Sequence, residues 1–448
     1  MLYALGVLIF AVGLLLSIAL HEIGHLVPAK RFGVKVTQYM VGFGPTLWSR
    51  RRGDTEYGFK AIPLGGYIRM IGMVPPRRDG SRSRWPRRMA SAIEDFRSVS
   101  RVEVKPGDEP RQFYRLTPGK KIVVMLGGPT MNLLIYLVLT VGLLSILGTA
   151  HEDTTTTVGS VSKCVVAATA PQAQQSDCAT PNAPAYVAGL KPGDRIVAIN
   201  GAPVSAWDQA VRVIEASPGR PLAVSVERDG APVTLRVTPV ENVKYANASG
   251  TETKRAGYIG VSDQVHRYYQ AVPLPQVPGH VVSQVALGLH AMGSYPSKIV
   301  SLWHTIFDGA PRDPNGAIGV VGIGRLGGDF TQSKLLDVQD KVYALIGMLA
   351  GVNLLLFFFN LLPLLPLDGG HVAGALVEAA KRGRARLRAR AHAAAHPGGD
   401  VPESAPAPIY VDTAQMLPVM YAVASVLIVL TLLTLWADIV NPISLGGG

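Results

Sequence analysis

Cysteine is almost absent from this chain, with two residues in 448, Cys164 and Cys178. That excludes a disulfide-dense scaffold and any metal site built on a cluster of thiolates; a single bridge between the two is all that stays open. Charge is scarce too, at 17% of residues, while 48% are hydrophobic and the mean hydropathy is positive. A chain so poor in charge and so rich in apolar residues is neither a disordered segment nor an ordinary soluble globule. Acidic residues are outnumbered, 31 against 43 basic, for a net charge of +12. An excess of that size suits a nucleic-acid binder, but it is confined to a few segments, and its placement says more than its size.

Four apolar runs are long enough to cross about 30 Å of hydrocarbon. They lie at 2–28, 122–148, 342–367 and 416–437. From Lys30 to Lys121 there are 21 Lys and Arg against 8 acids, from Ala150 to Asp340 15 against 16, and "KRGRARLRAR" follows the third run. Basic loops stay in the cytoplasm. The expectation is a polytopic α-helical membrane protein with 29–121 and 372–412 inside, and 149–340 and both termini outside. The first run has no basic residues before it and several after it, which argues against a cleaved signal peptide.

The divisions expected are a first transmembrane helix (1–29), a cytoplasmic loop (30–120), a second transmembrane helix (121–148) and an extracytoplasmic domain (149–240). A linker (241–340), a third transmembrane helix (341–371), a basic cytoplasmic linker (372–412) and a fourth transmembrane helix (413–440) follow. Within the first loop, 39–73 alternates like a β-hairpin around "RRGD". The stretch 73–115, rich in Arg, Ser and Pro, shows no lasting apolar period and reads as a mobile insertion, as does 382–408. In 185–240, "AGLKPGDRIVAINGAPV" and "VERDG" set short alternating runs between turn dipeptides, with a helix near 205–216. Over about 157–240 this order resembles a PDZ domain, which binds an extended peptide or chain end at a sheet edge. A spacer that screens bulky substrates is the alternative. In 281–307 apolar residues recur at helical spacing, for an amphipathic helix lying either on the membrane surface or under the extracytoplasmic domain.

The stretch "LSIALHEIGHLVPAK" (16–30) puts two histidines and a glutamate at the end of the first apolar run. Residues four apart share a helix face, so His21 and His25 can point at one metal ion with Glu22 beside them. Ionisable groups in a membrane span are costly and usually functional. A polar cluster at a helix end, reached by headgroups and water, is the other reading. A four-coordinate catalytic zinc takes a third protein ligand and keeps one position open. The third run ends "FFFNLLPLLPLDGGH" (357–371), so Asp368 reaches the same cytoplasmic depth. Pro363 and Pro366 disfavour helix before them, which predicts an unwound chain at Asp368, with Gly369 and Gly370 allowing a turn.

His21-Glu22-x-x-His25, "GGPTMN" (127–132), the PDZ-like insert and "NLLPLLPLDGG" together resemble the site-2 protease family of intramembrane zinc metalloproteases, across all four spans in order. The resemblance implies one Zn2+ per chain held by His21, His25 and Asp368, with Glu22 as catalytic base. It implies a substrate-contacting or oxyanion role for Asn360, whose alternative is an amide satisfying carbonyls freed by Pro363, and packing roles for Gly128, Pro129 and Asn132. His371 matches no ligand position and is expected to take a hydrogen-bonding or structural role. The hairpin at 39–73 would be membrane-associated and hold an unwound substrate as an added strand; an ordinary cytoplasmic hairpin is the alternative. The implied partners are the bilayer, single-span membrane proteins such as anti-sigma factors or remnant signal peptides, trimmed first by another protease, and a peptide or chain end at the PDZ-like domain. The implied location is a bacterial cell membrane, and no nucleic acid is involved.

Two other classes compete. A membrane adaptor with a vestigial site need keep none of His21, Glu22, His25 and Asp368, yet all are present. A transporter is disfavoured by four spans without internal repeats and a site near one face.

Overall fold

The computed structural model of the protein describes residues 2–77, 85–102, 104–165, 182–245, 253–309, 312–313, 316–333, 336–395 and 409–442. The chain forms two compact units, Met1–Leu147 with Val272–Gly448, and the inserted Gly148–Ala271. In chain order the first unit begins with α1 (Leu2–Arg31), β1 (Val36–Arg52), β2 (Thr55–Met70), α2 (Arg87–Val102) and α3 (Pro118–Gly142, continued by a π turn to Leu147). The insert holds β3 (Thr149–Val161), β4 (Arg195–Ile199), β5 (Ala202–Pro203), α4 (Trp207–Glu215), β6 (Leu222–Arg228), β7 (Ala231–Val237), β8 (Val240–Tyr245), β9 (Thr253–Tyr258) and β10 (Val261–Gln270). The first unit resumes with α5 (Val277–Gly293), α6 (Tyr295–Phe307), α7 (Val320–Gln332), α8 (Val338–Leu361), α9 (Asp368–Ala395) and α10 (Leu417–Val440).

Four helices are long and apolar enough to cross a membrane: α1, α3 with its π turn, α8, and α10 with the turn before it. A helix satisfies its own backbone, which hydrocarbon requires. Leu5, Leu8, Val12 and Leu16 of α1 accordingly face outward. What holds α1 to α3 is the absence of side chains. A Cβ on Gly24 would lie 2.2 Å from the Gly127 carbonyl oxygen, and one on Gly127 2.0 Å from that of Gly24. Such small-residue crossings let backbones touch where lipid removes the hydrophobic drive between helices. The link from α1 to α8 is polar: Asn353 Nδ2 donates to Ser17 Oγ at 3.0 Å, and Ser17 donates on to Gly13 O.

Three segments depart from expectation. The first is 73–115, where Met89, Ala92 and Ile93 form one face of α2. Ile93 is buried against Val74, Ala414 and Leu417, and Arg97, 2% exposed, donates to Pro75 O and pairs with Asp412 at 2.9 Å. Part of the surface that holds this helix lies more than 300 residues away, but the helix itself was legible: Met89, Ala92, Ile93 and Phe96 recur at helical spacing within 87–102. Residues 78–84 and 103 lie outside the described residues.

The second is the linker at 241–340. Its first third is β8, β9 and β10, which belong to the inserted unit, and its amphipathic stretch is two helices, α5 and α6. Gly293 ends one and Pro296, in the first turn, starts the other. Val281, Val285 and Met292 of α5 pack on Tyr136 of α3 and Leu354 and Phe358 of α8. The third is the basic linker after the third span, where α9 stays helical to Ala395; 396–408 lie outside the described residues.

In the inserted unit an antiparallel sheet has the order β10-β3-β4-β6-β7, with β5 on β4 and a separate β8–β9 pair. Trp207, Ala210 and Ile214, on one face of α4, close a core with Val158, Ile196, Val224 and Val226. Asn200 and Asp229 take positive φ before Gly201 and Gly230, which is what the Asn-Gly and Asp-Gly dipeptides supply. The pairing of Cys164 with Cys178 falls outside the described residues, since Cys178 does.

Candidate metal centre

The imidazoles of His21 and His25 stand one turn apart on α1, ring centroids 4.9 Å apart and nearly perpendicular. His25 Nδ1 lies 2.8 Å from the Val124 carbonyl oxygen of α3. A carbonyl only accepts, so Nδ1 carries the proton and Nε2 keeps its lone pair free. The two Nε2 atoms are 3.2 Å apart, and Asp368 Oδ2 lies 3.5 Å from that of His21 and 3.3 Å from that of His25. The structure therefore brings together on one spot the three side chains that the motifs single out.

These atoms fit a zinc ion by a simple geometric test. Zinc–nitrogen and zinc–oxygen bonds of about 2.1 Å in a tetrahedron put neighbouring donors about 3.4 Å apart. The three observed separations bracket that value. The space in front of the imidazoles is kept open by Gly128, where a Cβ would stand 2.2 Å from His25 Nε2 and 2.6 Å from His21 Cε1.

Asp368 arrives by a route that differs from the expected one. The helix α8 ends at Leu361, residues 362–367 are irregular around Pro363 and Pro366, and Asp368 opens α9 instead of lying in unwound chain. Gly369 and Gly370 are helical; a Cβ on the first would meet Leu362 O at 2.3 Å and one on the second Leu365 N at 2.6 Å. They permit the helix to fold back on its own connecting loop, which is why glycine is needed there.

Glu22 is buried beside His21, with Gly66 of β2 packed against its Cγ. A cavity of about 320 Å³ joins His21, Glu22, His25, Asn360 and Asp368. Its remaining wall comes from Gly66–Ile68 and Met70 of β2, Met73, Met125, Pro366, Leu367 and His371. Gly128 lies against the imidazoles, whereas Pro129 and Asn132 are buried on α3 outside the cavity lining. The hairpin wall, Met125 and the Val124 carbonyl carry no local motif. Ser17, one turn before His21, and Asn353, two turns before Asn360, were readable from helical spacing as polar members of the same faces.

The profile of peptidase family M50 matches residues 9–398. Zinc metalloprotease Rip1 of Mycobacterium tuberculosis is 36% identical over 457 residues, covering 99% of this chain and all of that protein. Rip1 of Mycolicibacterium smegmatis is 34% identical over 461 residues, with the same coverage, and zinc metalloprotease RasP of Geobacillus kaustophilus is 26% identical over 415, covering 81% and 86%. With a family profile spanning most of the chain and full-length relatives above 30% identity, the chain belongs to peptidase family M50, the site-2 protease family.

Proposed function

We propose that this zinc metalloprotease hydrolyses peptide bonds within or beside the transmembrane segment of single-span membrane proteins, in regulated intramembrane proteolysis. The observation that carries the reading is the convergence of His21, His25 and Asp368 on one point at separations of 3.2–3.5 Å, with Glu22 in the same cavity, at the end of a membrane-spanning helix.

His21, His25 and Asp368 hold the ion, which when bound supplies an acidified water and polarises the scissile carbonyl. Glu22 takes the proton of the attacking water and returns it to the leaving amine; its burial between α1 and Gly66 keeps competing solvent away. Asn360, across the cavity, donates to the developing oxyanion or to the substrate backbone. A helical substrate hides its carbonyls in its own hydrogen bonds, and the β2 wall at 66–68 offers an edge on which an unwound segment adds as a strand. The substrates are anti-sigma factors or remnant signal peptides already shortened by another protease. The inserted unit acts as a PDZ-like module on the outer side of a bacterial cell membrane; its open edges are β10 and β7.

The test co-expresses wild type or Glu22→Gln with tagged single-span proteins lacking their outer domains, follows fragment size, and assays bound zinc. Cleavage by wild type alone with zinc retained in both is expected. Equal fragment patterns, or wild type without zinc, would overturn the assignment.

A further inference from the structure

Two of the three donors have an obvious scaffold. His21 and His25 share α1, and α1 is locked to α3 by the Gly24–Gly127 contact and by the His25–Val124 hydrogen bond. Asp368 has no such lock. It begins a separate helix after six irregular residues, and Val372 of its first turn packs on the cluster that includes Val124 and Met125 of α3, an apolar contact that carries no directional bond to fix register.

One contact between those helices cannot slide. Lys121 Nζ of α3 donates to Glu378 Oε2 of α9 at 2.8 Å, with the two side chains only 8% and 2% exposed. Among the described residues no other ion pair joins α3 to α9. Lys121 lies two turns before Gly128, about 10 Å along α3, and Glu378 lies about 15 Å along α9 from Asp368. This polar contact between α3 and α9 therefore stands at the end of their interface away from the metal donors. Glu378 Oε2 also accepts from Val411 N at 3.3 Å, its Oε1 pairs with Arg382 at 2.7 Å, and Lys121 and Arg382 both lie over the Tyr410 ring. A buried ion pair adds little net stability, but a slip leaves a charge unpaired, so its best use is to specify register.

We propose that the Lys121–Glu378 pair is the positioning element of the metal centre: it sets α9 lengthwise against α3, and so sets the reach of the Asp368 carboxylate to the two imidazoles. The inference rests on the metal-ligand reading above, and its test separates the two. Full-length protein in detergent is stripped of metal and titrated with Co(II), whose visible absorption reports a tetrahedral nitrogen and oxygen ligand set, alongside thermal unfolding.

In Lys121→Met the Co(II) affinity falls tenfold or more and the band loses intensity, while Lys121→Arg stays within a few-fold of wild type. Lys121→Met/Glu378→Leu/Arg382→Met removes the whole charge cluster and recovers unfolding temperature, yet its Co(II) affinity stays tenfold or more below wild type. Wild-type affinity in Lys121→Met, or affinity that returns together with stability in the triple variant, overturns the proposal and leaves the pair merely structural. Should wild type bind Co(II) no better than His21→Ala, the metal-ligand reading fails and this one with it.

Discussion

Gly128 is the glycine that the metal donors themselves require. Its missing Cβ is the room in front of the imidazoles, and His25 cannot swing away without giving up the Val124 carbonyl. Gly128→Ala is expected to weaken zinc binding by about tenfold or more, as loss of ligand orientation does, while leaving the helices assembled. Chelator competition on purified protein measures it, and unchanged zinc retention would contradict the cavity geometry. Asp194, in the inserted unit, is a residue of a different kind. It is buried, accepts from Lys191 N and from Arg228 Nε and Nη2, and these bonds, the arginine's first, hold its carboxyl below the ordinary range. A depressed native value means that its stabilisation is complete above the unfolded value near 3.9 and drains as pH falls toward the native one. Hydrogen exchange of the inserted unit within the full chain should therefore accelerate below about pH 4. Asp194→Asn should lose about 2 kcal/mol at neutral pH and flatten that acid limb; parallel pH curves would argue against the assignment.

Among the elements, α2 is the instructive one. Its apolar positions meet Val74, just past β2, and Ala414 and Leu417, just before and at the start of α10, so it ties the chain beside the metal cavity to the start of the fourth span. Ile93→Asp puts an unpaired charge in that cluster and should cost about 3 kcal/mol locally. The expected readout is faster proteolysis of 85–102 with α1, α3 and α8 still protected. If 85–102 is equally resistant in the variant, the cluster does not hold the helix. The window 87–102 does carry Met89, Ala92, Ile93 and Phe96 at helical spacing, a period that the longer Arg-rich stretch around it obscures; what no window shows is that half of the buried face is supplied from the far end of the chain. The α1–α3 crossing is likewise invisible in hydropathy: Gly24 lies inside the His motif and Gly127 begins the Gly127-Gly128 pair, and only the opposition of Gly24 and Gly127 makes them a contact. Gly127→Val should separate the two helices and reduce zinc binding, measured as retained zinc against wild type; full retention would contradict the crossing.

At the scale of the whole molecule, the four spans and the basic loops assign the inserted unit to the outside and the hairpin, α2 and α9 to the inside, a sidedness that we propose from charge; α5 belongs to neither side, because it packs along α3 and α8 as far as Phe358. Reporters fused after Ala395 should be active only in the cytoplasm, and reporters within the inserted unit only outside; the reverse pattern would overturn it. The sequence by itself determined the number of spans, the turns of the inserted sheet and the His21/His25 pair on one helix face; Asp368, far along the chain, entered through its matching depth and the family resemblance. The first three follow from hydrocarbon thickness, from the residues that tolerate positive φ, and from side-chain chemistry at helical spacing, all of which are local. Only the tertiary structure decided that Asp368 opens a helix instead of lying in unwound chain, that α2 of the basic insertion packs on Ala414 and Leu417, that the inserted unit runs on to Ala271, and that β2 walls the cavity. Each of these depends on which distant backbone comes within a few ångströms, and contacts of that range are set by packing of the folded chain, not by any property carried along a short stretch of it.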